Sequence, residues 1–333
     1  MEKKRDYLWD NVKAVLIFLV VFGHCLELCS REISLAVYAD RMIYCFHMPA
    51  FIFVSGFWAK RYCVDGKVRA EKAAVLFAYY LIFQIIFSLL TLAVAPHTRV
   101  SVFNPNRGLW YLLAVFAYYL LVPLIEKLPP WLVVGLSVVF SLLIGADKKN
   151  LGNYMALQRI ITFAPFFFVG YYLKAETVAK LRSYHIALRL AAAVSLAGAV
   201  AAALLIKRNA LTMTLFYAKA NYAKMHHTFI QGVALRGIGL VMAAMLTLAL
   251  LLIVPSGKLF FSQTGKNSLQ IFILHMSVIT VLVRLDSFRP VINSLPTFAL
   301  ALVTAAAVTA VLSLNIFGYP FRWIQSGVKK LYK

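Results

Sequence analysis

VKAVLIFLVVFGHCLELC, residues 12–29, is an apolar run of 18 residues that follows a cluster of bases and carries one imidazole and one carboxylate towards its end. At a helical rise of about 1.5 Å per residue it reaches about 27 Å, close to the ~30 Å thickness of a bilayer's hydrocarbon core. A cleaved leader also begins with bases. This run, however, holds His24 and Glu27, has no small-residue cleavage site and is followed by more apolar runs, so it reads as a retained first helix.

Working outward, similar runs recur at about 41–59, 73–95, 108–125, 131–146, 158–174, 186–206, 232–253, 267–284 and 295–317. The run at 131–146 is short, as expected for a tilted or partial span. Turn-rich or charged connectors separate them: Val64–Arg69, Pro96–Arg107, Asp147–Asn153 and Pro255–Lys266. The longest, Lys207–Gln231, is polar and aromatic and contains His226 and His227. It reads as a solvated outer loop or, with Tyr217, Tyr222 and Phe229, as a carbohydrate platform. No repeat and no polar stretch long enough for a soluble domain appears. The expected fold is all-α: one membrane-embedded domain over residues 1–333, a polytopic bundle of about ten transmembrane helices.

Composition supports this reading. Hydrophobic residues make up 62% and charged residues 14%, against about 25% charged in soluble domains. One water-soluble core cannot hide that much apolar surface. The net charge is +22, from 34 Lys and Arg against 12 Asp and Glu. The bases gather at the ends of apolar runs rather than on one face, which argues for membrane topology and against nucleic-acid binding. About 20 bases fall on the N-terminal side of the expected spans and about 14 opposite. Both termini are therefore expected in the cytoplasm of a multi-pass plasma (inner) membrane protein, with some bases meeting anionic lipid. Cys25, Cys29, Cys45 and Cys63 show no disulfide framework.

Ionisable groups inside spans are costly and therefore informative. His24 lies about 12 residues, roughly 18 Å, up the first helix, and His47 about 6 residues, roughly 9 Å, down the second. The two imidazoles are expected at one depth and facing one another. Glu27, three residues after His24, shares its helix face and can fix its tautomer, as a general base requires. The plainer alternative is a polar contact between helices. A metal is not expected, because no convincing third ligand accompanies the pair.

His275 sits roughly 12 Å from the cytoplasmic face, after Asn267, Ser268 and Gln270. This set suits helix–helix hydrogen bonding or a cofactor channel. Arg5, Asp10 and Lys13 open the first helix with a cationic cluster suited to cofactor phosphates or to topology anchoring. Arg159 opens the sixth span at the outer face, where it contacts an acceptor or snorkels to lipid.

These residues fall in recognisable phrases. Asp10, Lys13, Ala14 and His24 match the D-x-x-R/K-A pattern, with its later histidine, of the integral-membrane acyltransferase family 3. FHMPAFIFVSGF, from Phe46 to Phe57, resembles that family's second-helix phrase. LWYLLAVF (Leu109–Phe116, containing Trp110), RIITFAPFFFVGYYL (Arg159–Leu173) and GKNSLQIFILH (Gly265–His275) are similar to its fourth, sixth and late helices. The chain resembles the fucose 4-O-acetylase-like branch in particular.

The resemblance implies an enzyme that moves an acyl group, commonly acetyl from cytoplasmic acetyl-CoA, to a hydroxyl of a cell-envelope carbohydrate. His24 then corresponds to the family's helix-one histidine. Arg5, Asp10, Lys13, Asn267, Ser268 and His275 are the expected cofactor side, and Arg159 and Trp110 the acceptor side. Lys13 departs from the arginine of many members. Without the hydrolase-like domain fused to some relatives, transfer is expected to finish on this chain or through a separate extracytoplasmic transferase. The competing expectation is a proton-coupled transporter or flippase of a lipid-linked sugar or small solute, although the repeated, broken halves common in transporters are not visible.

Overall fold

The computed structural model describes residues 7–27, 34–64, 67–94, 101–147, 151–207, 209–282 and 295–332. In lipid a backbone must satisfy its own polar groups, and among the described residues each expected apolar run overlaps a helix. In chain order these are α1 (Leu8–Leu26), α2 (Ser34–Ala59), α3 (Ala70–Val94), α4 (Trp110–Ile125), α5 (Pro130–Leu143), α6 (Leu157–Tyr172) and α7 (Ala175–Ser183). There follow α8 (Ile186–Ile206), α9 (Met213–Tyr217), α10 (Phe229–Ile253), α11 (Ser262–Lys266), α12 (Ser268–Leu282), α13 (Leu295–Leu312) and α14 (Tyr319–Lys330). Between α2 and α3, Cys63–Val64 pairs with Lys67–Val68 in a two-residue antiparallel ladder.

Five of these helices, α1, α2, α3, α8 and α10, are individually long and apolar enough to cross a membrane. Counting α6 with α7 and α13 with α14 as interrupted spans raises the number to seven, and α4, α5 and α12 are shorter apolar helices. The run read at 158–174 thus continues, after a break, into α7.

Burial identifies the solvent. In α5 the buried positions are Val133, Ser137 and Ser141, whereas Trp131, Val139 and Phe140 are exposed. A water-soluble helix buries its apolar stripe and exposes its serines; α5 does the reverse. The long helix α8 likewise exposes Leu188, Val194, Leu205 and Ile206. These faces require lipid, and the protein is a multi-pass helical membrane bundle.

The chain packs as two units. One comprises Met1–Phe51, Lys174–Thr212 and Val241–Gly318. Here α1 packs on α11, α12 and α13. Asn11, wholly buried, donates through Nδ2 to the carbonyls of Pro255 (2.8 Å) and Gly257 (2.9 Å) and accepts from Ser262 Oγ (2.6 Å). Gly265 lies against the Asp10 backbone, with no space for a Cβ. Arg182 and Arg189 donate to the carbonyls of Leu251 and Leu252, closing the C-terminus of α10, where orphan carbonyls favour cations.

The other unit comprises Ile52–Leu173, Met213–Leu240 and Tyr319–Lys333. Gly56 of α2 abuts the Phe167 carbonyl and Gly170 of α6 abuts the Phe53 carbonyl, so a pair of small residues brings two backbones into contact. Ser141 Oγ donates to the Thr162 carbonyl (2.8 Å), joining α5 to α6. The connector around α9, read as a solvated loop or platform, is packed at its centre: Leu215, Phe216 and Tyr222 are buried. The Tyr222 ring fills the space left by Gly145 and Gly232.

Candidate active site

The C-terminal half of α1 and the residue that caps it place His24 and Glu27 one turn apart, α2 supplies Tyr44 and His47, and α12 supplies His275. His24 Nδ1 lies 3.3 Å from Glu27 Oε2 and 3.1 Å from Tyr44 Oη, while Tyr44 donates to Glu27 Oε1 at 2.6 Å. The carboxylate is thus gripped from both sides. With a proton on Nδ1 shared between Glu27 and Tyr44, the His24 Nε2 keeps its lone pair. Nε2 makes no hydrogen bond among the described residues, and the side chain is 19% exposed.

The expected His24–His47 facing pair takes a different form. The imidazole stacked on His24 is that of His275, with ring centroids 5.3 Å apart. His47 joins through the intervening Tyr44 ring, whose centroid lies 4.8 Å from its own. Tyr44 occupies the space between the two histidines because it lies one turn before His47 on α2, and it also meets His24 edge-on at 6.0 Å. His275, expected on the cofactor side with Asn267 and Ser268, lies in the same cluster as His24.

His47 and His275 are buried, at 2% and 0% exposure. Each directs Nδ1 at the carbonyl one turn back on its own helix, Ile43 at 2.7 Å and Ile271 at 3.0 Å. A carbonyl only accepts, so both rings carry their proton on Nδ1 and leave Nε2 as the acceptor nitrogen, which in His275 is buried. Among the described residues no three His, Cys, Asp or Glu side chains converge at metal-binding spacing.

At the start of α1, Asp10 and Lys13 form an ion pair at 3.1 Å, and Lys266 lies over the Tyr7 ring at 5.8 Å. Two ammonium groups thus accompany the N-terminus of α1, whose dipole also favours an anion. Arg5 lies outside the described residues. Asn267 donates to the Ser313 carbonyl (2.6 Å) and to Asn315 Oδ1 (3.1 Å), and Gln270 to the carbonyls of Leu312 and Leu314. Both amides therefore close the end of α13, and Ser268 is buried at the start of α12. Of the residues read as cofactor contacts, Lys13 retains a partly exposed ammonium paired with the buried Asp10, while Asn267 has a structural task.

In the second unit Arg159 lies over the Trp110 ring at 4.9 Å and donates from Nε to the Tyr217 carbonyl at 3.1 Å. Trp110 packs on Phe163 as well, with centroids 5.6 Å apart. The two residues read as acceptor contacts are thus one stacked, buried pair.

Sequence reasoning missed Tyr44 and Asn11. Tyr44 carried no signal beyond its i−3 spacing from His47; Asn11, a lone amide entering an apolar run, could have been flagged by the cost of burying it.

Comparison with known proteins gives the geometry its context. The family model described as an acyltransferase domain matches residues 6–314. Nodulation protein NolL of Sinorhizobium fredii (strain NBRC 101917 / NGR234) is 30% identical over 159 residues, covering 42% of this chain and 42% of that protein. No solved structure matches.

Proposed function

The chain belongs to this acyltransferase family, and on that premise we propose that it is an O-acyltransferase that uses acyl-CoA, acetyl-CoA foremost, to acylate a hydroxyl of a cell-envelope carbohydrate. The observation that carries the proposal is the Glu27–Tyr44–His24 arrangement, in which the imidazole is oriented through Nδ1 and presents Nε2. That is the geometry a general base needs.

In the proposed reaction His24 Nε2 removes the proton of the acceptor hydroxyl as its oxygen attacks the thioester carbonyl. The carbon–sulfur bond breaks, the ester forms, and the imidazolium returns the proton to the departing CoA thiolate. Glu27 stabilises the imidazolium during the step. The proton on Nδ1 of His47 and of His275 supports a role as acceptors that position hydroxyls, rather than as donors to an oxyanion. Lys13 and Lys266, with Arg5 from the preceding segment, supply phosphate partners for the CoA nucleotide. Trp110 and Arg159, stacked on one another and buried, are the proposed acceptor contacts.

Both termini are placed in the cytoplasm in this proposal, in the plasma membrane, and a separate extracytoplasmic transferase is an alternative final acceptor. A covalent acetyl-His24 intermediate is a second route. The test is incubation of the purified protein in lipid nanodiscs with radiolabelled acetyl-CoA and an envelope glycan extract. The expected result is label in the glycan; absence of both CoA binding and transfer would favour the transporter reading. A burst of protein-bound label before acceptor is added would select the covalent route.

A further inference from the structure

Arg236 stands two turns into α10 and is 2% exposed. An arginine in an apolar helix normally finds an acid, a set of carbonyls or water. Among the described residues this one donates only from Nη1, to the Ser141 carbonyl at a long 3.3 Å, and lies 4.9 Å from the Tyr222 ring. Its Nε and Nη2 are buried without a hydrogen-bond partner. Those two nitrogens form one edge of the guanidinium, the side-on fork that matches a pair of oxygens on a carboxylate or phosphate. Asp147, in the neighbouring segment, directs its carboxylate to the Leu151 amide (2.5 Å).

The surroundings repeat the pattern. Ser141, whose carbonyl meets Arg236, donates through Oγ to the Thr162 carbonyl. Thr162 Oγ1 is buried and unpartnered, as is Oε1 of Gln158, one turn earlier on α6. Gln158 is held by its other end, Nε2 donating to the Ala220 carbonyl at 2.6 Å. Tyr222 is fixed by donation to the Leu142 carbonyl at 2.5 Å. Four buried polar atoms on three side chains thus lack partners in one locality, while the groups that hold those side chains are satisfied. Native interiors pair such atoms almost without exception, so their clustering marks a ligand.

We propose that Arg236, Thr162 and Gln158 form a binding site for an oxyanion, the paired oxygens of a carboxylate or phosphate, carried on a hydroxylated ligand. The guanidinium edge takes the two oxygens, and the threonine hydroxyl and glutamine carbonyl take neighbouring hydroxyls. A sugar acid, a phosphoglycerol lipid headgroup and free phosphate all present this chemistry. The site is independent of whether the protein transfers an acyl group.

The test is ligand binding and thermal melting of the full chain in phosphatidylcholine nanodiscs, with inorganic phosphate, glucuronate and short-chain phosphatidylglycerol as separate probes. At least one probe is expected to raise the melting temperature of the wild type. Saturation by glucuronate alone assigns the site to a sugar carboxylate; saturation by phosphate or phosphatidylglycerol assigns it to a phosphate source. Arg236→Lys, which keeps the charge but loses the fork, is expected to bind at least ten-fold more weakly, and Thr162→Val to weaken the hydroxylated probes selectively. Should Arg236→Lys fail to fold, Thr162→Val decides, and equal binding of the hydroxylated probes by it and the wild type overturns the proposal. Binding by none of the probes, or equal binding by wild type and Arg236→Lys, overturns the proposal.

Discussion

His24, His47 and His275 are each tied through Nδ1, the first to a carboxylate and a phenol, the others to backbone carbonyls. His24 has the Glu27 carboxylate beside it, which compensates the charge when the ring takes up a proton. Tyr44 contributes by holding Glu27 against His24. Tyr44→Phe removes a hydrogen bond to a charged group, of about 1.5–3 kcal/mol, and is expected to lower kcat by about 10- to 100-fold with little change in donor KM. Steady-state kinetics in nanodiscs check this; an equal loss in KM alone would assign Tyr44 to substrate binding. Glu27→Gln is expected to cost more, because the imidazolium loses its counter-charge. The His24–Glu27 pair was legible in the sequence because i,i+3 spacing on a helix fixes proximity. The placement of His275 against His24 was not, since it depends on how α12 packs on α1, more than 200 residues away in sequence.

Helices were the most legible elements, because a run of apolar residues in lipid has one way to satisfy its backbone. What escaped was how they meet. Gly56 and Gly170 mark a backbone-to-backbone contact that no periodicity reveals. Gly56→Ala forces a methyl against the Phe167 carbonyl and is expected to destabilise the fold by about 1–3 kcal/mol, read as a lower melting temperature. An unchanged melting temperature would mean that α2 and α6 part without loss. Asn11→Leu leaves the carbonyls of Pro255 and Gly257 and the Ser262 hydroxyl without their partner. A larger loss is expected, about 1–3 kcal/mol for each group left unsatisfied and buried. The connector around α9 was misjudged as solvated because its buried Tyr222 depends on Gly145 and Gly232, from different segments, to make space.

For the whole molecule, lipid-facing surfaces such as that of α5 and the +22 net charge determine how the chain sits. The proposed topology, drawn from the distribution of bases, has both termini in the cytoplasm. A single cysteine introduced at Gly327, in a chain whose native cysteines are replaced, is then expected to react with a membrane-impermeant maleimide only after the cytoplasmic face is opened. A cysteine at His226 is expected to react from outside, and the reverse pattern would invert the topology. His24 is the proposed base of the acyl transfer, and acceptor-dependent transfer by His24→Ala, measured alongside CoA binding, tests that role. The expected result is intact CoA binding with transfer reduced about 100- to 10,000-fold, the usual contribution of a general base. Transfer by His24→Ala at a rate close to that of the wild type would contradict it.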